Sequence, residues 1–126
     1  MALVLDTGAL IAFDRGDREV AALVEAARRR RDRVATSSGC VAQAWRGGGS
    51  RRALLARLLR GVTEIGLDDR MSRVTGDLCG SSKTADVVDA HVALLVRDRD
   101  VVLTSDVEDL RRLLRTRGVS AHLKRC

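Results

Sequence analysis

The sequence predicts an α/β fold: a mostly parallel sheet of about five strands flanked by helices on both faces. Two short apolar runs, residues 2–5 and 101–103, lack the polar alternation of a half-exposed strand, so each is typical of a strand buried on both faces. Strand-like segments alternate with segments of helical periodicity along the chain. This alternation favours parallel strands connected by helices.

The other elements follow from shorter patterns. Further strands are expected over residues 33–36, 62–65 and 119–123, the last as an alternating edge strand. Residues 80–83 are expected to form a turn, and the most apolar helix is expected to begin at Thr84 and pack deep against the sheet. Helical periodicity and capping residues predict helices over residues 7–13, 17–31, 50–60, 84–95 and 107–114. A further helix carries residues 41–45, and Thr36, Ser37 or Ser38 can be its N-cap. Another begins at Asp68 or Asp69 and continues to Leu78.

The fourth predicted helix follows three glycines at residues 47–49, which we interpret as a flexible connection. They do not form a phosphate-binding loop, because no strand precedes them and no Lys-Ser/Thr pair follows. Ser50 is the expected N-cap of this helix. Its apolar face is expected to comprise Leu54, Leu55, Leu58 and Leu59.

Length and composition indicate one ordered domain. The 126 residues are enough to bury a core, and we expect residues 1–126 to form a single domain with no linker. The apolar runs are too short to span a membrane, and Asp6 interrupts the region where a signal peptide is apolar. We therefore expect a cytoplasmic protein. The three cysteines, Cys40, Cys79 and Cys126, have no C-x-x-C spacing, so neither a zinc site nor a disulfide framework is predicted.

The charge balance favours a polyanionic partner. Lys and Arg number 23 against 17 Asp and Glu, for a net charge of +6. With no Tyr, one Phe and one Trp, the chain has few aromatic side chains to stack on bases, so a nucleic acid would be held mainly by its phosphates. The arginines are clustered at residues 28–31, 51–52, 57 and 60, and 111–112. The alternative is that these clusters are simply solvated helix faces.

Acidic residues recur where the predicted sheet ends. Asp6 follows the first strand and Asp106 follows the fourth, so both belong to the edge where parallel strands present their carboxyl ends. Asp86 and Asp89 are three residues apart on one predicted helix and share a face. Carboxylates from these elements would form an oxygen-only site suited to Mg²⁺ or Mn²⁺. Such an ion supports hydrolysis of a phosphate ester.

Each acid also has a structural alternative. Asp6 and Asp106 could be helix N-caps, and Asp86 and Asp109 could be first-turn charges that suit the helix dipole. Asp89 is harder to explain in this way, because it lies deeper in an apolar stretch where an unpaired carboxylate is costly. We therefore favour a functional role for Asp89.

These motifs resemble those of the PIN-domain family, and specifically its VapC-type ribonuclease toxins from bacterial toxin–antitoxin pairs. The order and spacing agree over nearly the whole chain, although each motif is short. The matching segments are Val4-Leu5-Asp6-Thr7, Ala42-Gln43-Ala44-Trp45-Arg46, Val88-Asp89-Ala90-His91-Val92 and Leu103-Thr104-Ser105-Asp106.

The resemblance implies a PIN-like α/β domain with Mg²⁺-dependent endoribonuclease activity, for which Mn²⁺ can substitute, and an antitoxin protein that covers the site. By position, Asp6, Asp89 and Asp106 would be the catalytic metal ligands. The family's second motif normally supplies a Glu, whereas this chain has Gln43. Supporting roles would fall to Asp86 or Asp109 as assisting acids and to Thr104 or Ser105 as hydrogen-bonding groups.

Two other functions stay open at this point. Because of Gln43, the alternative of an impaired PIN domain, which binds RNA or a partner without cutting, stays open. A phosphotransfer protein with Asp6 as nucleophile is disfavoured, because such families usually carry a second Asp where this chain has Gly8.

The expected partner surface is the Trp45-Arg46 corner together with the neighbouring Leu-rich helix, which would suit an antitoxin helix. Alternatively, Trp45 is a core residue. The sequence does not decide whether the chain forms a homodimer.

Overall fold

In the computed structural model, which describes residues 1–46 and 52–126, the chain forms the predicted α/β fold. The described residues contain five strands in one sheet of order β3-β2-β1-β4-β5, and every pair among them is parallel. The predicted sheet is therefore confirmed. Its strands are β1 (Ala2–Leu5), β2 (Arg33–Ser37), β3 (Thr63–Ile65), β4 (Val101–Thr104) and β5 (His122–Arg125).

Helices connect consecutive strands, as parallel strands require. Asp17 and Ser37 cap the second and third helices by accepting hydrogen bonds from the backbone N–H groups of Val20 and Gly39. The helices in the described part of the chain are α1 (Thr7–Asp14), α2 (Arg18–Arg29), α3 (Ser38–Trp45), α4 (Arg52–Leu59), α5 (Asp69–Ser82), α6 (Val87–Leu95) and α7 (Val107–Arg117). None of the helices in these described ranges is long and apolar enough to cross a membrane.

The core lies on both sides of the central strand. All four residues of β1 are buried, and successive side chains of a strand point to opposite faces, so helices cover both faces of the sheet. Leu5, Leu10 and Leu103 are fully buried in this core. Complete burial of one such side chain contributes about 1.5–3 kcal/mol to the free energy of folding. This core keeps the ends of β1 and β4 in register, with Leu5 opposite Leu103.

The strand order creates a switch point between β1 and β4. From β1 the chain adds β2 and β3 on one side, and β4 and β5 then add on the other. In open α/β sheets, ligands bind outside the carboxyl ends of the strands that flank such a point. Here those two strands lead directly into Asp6 and into Thr104-Ser105-Asp106.

Two predicted helix boundaries are wrong. Residues 80–82 belong to the last turn of α5 instead of a turn, and the helix ends at Lys83 in the left-handed conformation with φ 55°. Ser82 is buried, so packing overrides the weak helix propensity of this segment. The next helix begins at Val87 instead of Thr84, because the hydroxyl of Thr84 accepts a hydrogen bond from the backbone N–H of Asp86, and Asp86 is the N-cap.

Two further expectations are wrong, and a third concerns residues that the structure does not describe. Leu54 is 39% exposed, so it does not face inward with the buried Leu55 and Leu58. The last strand begins at His122, three residues later than the alternating pattern suggested. The flexible connection at residues 47–49 and the capping role of Ser50 lie outside the described residues.

Candidate metal centre

Asp6 is fixed by backbone donors on both sides of the switch point. One carboxylate oxygen, Oδ1, accepts a hydrogen bond from the N–H of Ala9 at 2.9 Å and so caps α1. The other, Oδ2, accepts one from the N–H of Ser105 at 3.2 Å. Burial raises the pKa of Asp6 above 3.8, although hydrogen bonds from Thr104, Ala9 and Ser105 act in the opposite direction. Asp6 therefore caps a helix and lies at the sheet edge at the same time.

Three carboxylates converge next to Asp6. Asp89 from the first turn of α6, Asp106 before α7 and Asp109 within α7 each offer an oxygen within 4.8 Å of the others. Asp89 is 8% exposed, whereas Asp106 and Asp109 are exposed to solvent. The cluster is therefore open on one side and buried on the other.

Within the cluster, the Asp89 carboxyl lies in an environment that disfavours its charged form. Its Oδ2 atom is buried and has no hydrogen-bond partner among the described residues. Burial, followed by the charges of Asp86, Asp106, Asp6 and Asp109, raises the pKa of Asp89 from 3.8 to about 7. A cation would compensate both the missing hydrogen-bond partner and the repulsion between carboxylates.

The neighbouring acids divide into capping and non-capping groups. Asp86 caps α6, because its Oδ1 accepts a hydrogen bond from the N–H of Asp89 at 2.9 Å. Asp106 also occupies an N-cap position, but its side chain makes no capping hydrogen bond within the described residues. Instead its backbone N–H donates to the Thr104 hydroxyl at 2.8 Å, so the Asp106 carboxylate is available to the cluster. Capping therefore accounts for Asp86 and not for Asp106.

His91 sets the position of α6 over the sheet. Its Nδ1 and the Ser37 hydroxyl oxygen are 2.7 Å apart, which connects the middle of α6 to the end of β2. His91 is fully buried, and this burial lowers its pKa below 6.5. A neutral imidazole in this place holds the helix that carries Asp89.

Gln43 reaches the same edge from α3. Its Oε1 accepts a hydrogen bond from the Thr7 hydroxyl at 2.5 Å, and Thr7 follows Asp6 directly. Gln43 itself is exposed. The side chain therefore adjoins the acidic edge but contributes no negative charge to it.

The end of α3 is partly open to solvent. Trp45 is its last residue and is 37% exposed, and Arg46, its C-cap, is exposed as well. Trp45 is thus neither a fully buried core residue nor a fully exposed one.

The sequence prediction placed Asp6 among the principal ligands and Asp109 among the assisting acids. In the structure Asp109 lies in the converging cluster with Asp89 and Asp106, and Asp6 lies beside this cluster. The spacing of Asp106 and Asp109, three residues apart on one helix, was the available signal. Arg125, which the sequence prediction did not include, also reaches this edge: its guanidinium donates to the Ser105 carbonyl at 3.2 Å.

The donor set fits a hard divalent cation. All the donors are oxygens, they converge within 4.8 Å, and one of them is a buried oxygen without a partner among the residues described. Mg²⁺ or Mn²⁺ suits such carboxylate oxygens better than zinc, which is usually bound by nitrogen or sulfur.

Comparison with known proteins identifies the fold. No protein-family model and no curated protein sequence matches the chain. Among solved structures, a chain of VapBC2 from Rickettsia felis, bound to a DNA fragment from their promoter, superimposes with a TM-score of 0.72. The match covers 98% of each chain at 12% sequence identity. At this identity the likeness concerns the fold, and it confirms the resemblance at that level: the chain has a PIN-domain fold.

Proposed function

We propose that the protein is a Mg²⁺-dependent endoribonuclease and the toxin of a toxin–antitoxin pair. The observation that carries this proposal is the convergence of Asp89, Asp106 and Asp109 beside Asp6 at the switch point of a PIN-domain sheet. The net charge of +6 supports a polyanionic substrate. The proposed substrate bond is the phosphodiester of RNA, and the proposed location of the protein is the cytoplasm.

The four acids of the site have different proposed roles, which follow from their environments. Asp89, Asp106 and Asp109 would hold the ion, with Asp6 completing the negative edge. When bound, the ion supplies an activated water and stabilises the charge that develops on the phosphate. Because the pKa of Asp89 is about 7, its carboxyl would give up a proton when a cation binds, so metal affinity should rise with pH. The backbone donors on Asp6 keep its carboxylate oriented while this occurs.

An antitoxin is the proposed protein partner. The structural neighbour is a VapBC2 complex, and two large side chains of this protein, Trp45 and Leu54, are 37% and 39% exposed. They belong to α3 and α4, which both pack on α1. A partner segment that covers these side chains and places a cationic side chain near the carboxylates would complement both surfaces. A homodimer is compatible with the same exposed side chains.

One observation favours a second candidate, a PIN domain that binds RNA or its partner without cutting. Position 43 carries an amide whose oxygen already accepts the Thr7 hydroxyl. The acidic edge therefore has one carboxylate fewer than the family pattern implies, which would weaken its attraction for a divalent ion.

The deciding experiment measures cleavage of single-stranded RNA by the purified protein with Mg²⁺, with Mn²⁺ and with EDTA. We expect cleavage with either metal and none with EDTA. Asp89→Asn and Asp6→Asn should each lower the rate at least 100-fold, a typical size for loss of a catalytic electrostatic group. Asp77→Asn, which changes an exposed acid on α5, is the matched control and should cut like the parent.

The outcomes separate the two candidates. Metal-dependent cleavage that disappears in Asp89→Asn supports the nuclease. RNA binding without cleavage in any metal supports the non-cutting alternative. Cleavage that persists undiminished in both variants would mean that the acidic edge is not the active site.

A further inference from the structure

A cavity opens beside Asp6, lined by residues that contact its carboxylate. It has a volume of about 570 Å³ and lies between α1 and the segments that follow β4 and β5. This volume is within the range of small-ligand sites, about 300–1,000 Å³. Its lining includes Gly8, Ile11, Ala12, Arg15, Asp17 and Ser105.

The cavity and the acidic edge share a wall. Ser105 lines the cavity and donates its backbone N–H to Asp6 Oδ2 at 3.2 Å. Gly8 also lines the cavity, and the place where its Cβ would lie is 3.3 Å from Asp6 Oδ1. A ligand in the cavity would therefore contact residues that themselves touch the Asp6 carboxylate.

This wall depends on a glycine. A Cβ at Gly8 would lie 2.7 Å from the Cβ of Ser105 and would overlap its hydroxyl oxygen. The start of α1 and the end of β4 can approach this closely only because residue 8 has no side chain. Arg125 holds the other side of Ser105 through a 3.2 Å hydrogen bond to its carbonyl.

The cavity has cationic and apolar side chains in and beside its lining. Arg15 lines it and is exposed, and Arg125, which is not part of the lining, is exposed next to Ser105. Ile11 and Ala12 also line the cavity, are partly buried and provide an apolar surface. The one acid among these groups, Asp17, caps α2 by accepting a hydrogen bond from the Val20 N–H. Two guanidiniums around an apolar surface suit a nucleotide, which has anionic phosphates and a flat base.

We propose that this cavity binds one unpaired nucleotide of the RNA, adjacent to the bond that is cleaved. Arg15 and Arg125 contact its flanking phosphates, and Ile11 and Ala12 contact its base. The inference rests on the proposed nuclease function and specifies how the substrate is held. Because an apolar contact reads no hydrogen-bonding edge of the base, the subsite discriminates weakly among bases. Double-stranded RNA does not fit, since its bases are stacked within the helix.

The test measures binding of a fluorescently labelled, single-stranded RNA of ten nucleotides by anisotropy, in EDTA so that no cleavage occurs. Arg15→Ala and Arg125→Ala should each weaken binding about five- to tenfold and lower the salt slope by about 0.7, the value for one lost phosphate contact to a single strand. Ala12→Trp should obstruct the cavity and weaken binding without changing the salt slope. Arg73→Ala, at an exposed arginine of α5, is the charge-matched control and should bind like the parent.

Cleavage in Mg²⁺ provides the second measurement. The three cavity variants should raise KM and leave kcat within about twofold, because they touch substrate outside the reacting bond. Circular dichroism of each variant verifies folding, and Arg15→Ala, which changes an exposed side chain, keeps the test valid if Ala12→Trp misfolds.

The outcomes distinguish this inference from the proposed function. A parent protein that cuts RNA, with cavity variants that bind and cut like Arg73→Ala, would overturn the subsite and leave the nuclease standing. Equal binding of single-stranded and duplex RNA would also overturn the subsite. A parent protein that neither binds nor cuts RNA would overturn the proposed function, and the subsite with it.

Discussion

At the scale of single residues, Asp89 concentrates the electrostatic cost of the site. It lies in the first turn of α6, a favourable place for a negative charge, yet burial and four neighbouring carboxylates raise its pKa to about 7. Burial and charge repulsion therefore raise the pKa of Asp89 by more than the helix dipole lowers it. Such a group is characteristic of a site adapted to a ligand instead of to stability alone.

This shift makes the stability of the metal-free protein depend on pH. The folded state holds a proton on Asp89 up to about pH 7, whereas the unfolded state loses it near pH 3.8. The stabilising contribution is thus complete below about pH 4 and is lost as pH rises through 7. In EDTA, the free energy of unfolding by urea should be about 1–3 kcal/mol lower at pH 8 than at pH 5.

The control for this prediction is Asp89→Asn, which cannot ionise. His91, with its lowered pKa, acts in the opposite direction, because its contribution is lost as pH falls below 6.5. It is present in both proteins, so the difference between their pH profiles isolates residue 89. Identical profiles would contradict the assigned pKa.

Gln43 gives a second prediction at this scale. The family pattern has a carboxylate at this position, and its replacement by an amide lowers the attraction for a divalent ion. Gln43→Glu should therefore reach half-maximal cleavage at a lower Mg²⁺ concentration, by about three- to tenfold. The measurement is cleavage rate against Mg²⁺ and Mn²⁺ concentration for parent and variant. Matching curves would show that another acid, such as Asp109 of the carboxylate cluster, already supplies the charge.

At the scale of elements, the sheet is fastened at the edge opposite the site. Asp100, just before β4, is 3% exposed and accepts hydrogen bonds from the N–H of Ala2 at 2.7 Å and of Arg97 at 2.8 Å. Its own carbonyl accepts a hydrogen bond from the N–H of His122. One buried residue thus joins the starts of β1, β4 and β5.

Removing this side chain should loosen the sheet without touching the site. Asp100→Ala leaves two backbone N–H groups without their acceptor, and we expect a loss of about 2–4 kcal/mol in the free energy of unfolding by urea. Asp100→Asn retains one acceptor oxygen and should lose roughly half as much. Cleavage at 25 °C should persist in the folded fraction of either variant. A loss below 0.5 kcal/mol in Asp100→Ala, roughly the limit for surface changes, would mean that water replaces the carboxylate at no cost.

At the scale of the whole molecule, the exposed apolar side chains bear on the partner. Trp45→Ala and Leu54→Ala should each weaken binding of the proposed antitoxin by at least tenfold, as expected for large side chains at the centre of an interface. Leu67→Ala is the matched control, because Leu67 and Leu54 are both 39% exposed. Titration calorimetry with each purified variant provides the measurement. Equal loss in all three variants, or none, would place the interface elsewhere.

Most of the fold could be predicted, because strands and helices leave local periodic signals. The run Ala2–Leu5, the apolar strand Val101–Thr104 and the helix cap at Asp17 are all visible in short stretches of sequence. For the third helix the sequence offers Thr36, Ser37 and Ser38 as caps, and the structure selects Ser37. The failures are also local in origin. The α5 C-terminus and the start of α6 depend on the burial of Ser82 and on the hydroxyl of Thr84, and neither is visible as a period.

The acids of the candidate site could be named from the sequence, but the hydrogen bonds that each carboxylate makes could not be predicted from it. Sequence spacing places Asp6, Asp89 and Asp106 at the ends of elements that meet at one sheet edge. It does not specify which carboxylate oxygens are already used by backbone donors. Hydrogen bonding assigns Asp86 to capping and orients Asp6, while the rotation of α7 brings Asp109 into the cluster.

Local sequence patterns predict the α/β class, the parallel sheet and the acidic edge, because hydrophobic periodicity and strand-end residues act over a few positions. Three properties become visible only once the chain is folded: Asp109 lies with Asp89 and Asp106, Asp89 has a pKa of about 7, and a cavity adjoins Asp6. These properties depend on distances between residues far apart in the chain. Such distances are set by the packing of α6, α7 and α1 around the switch point, and periodicity carries no information about them.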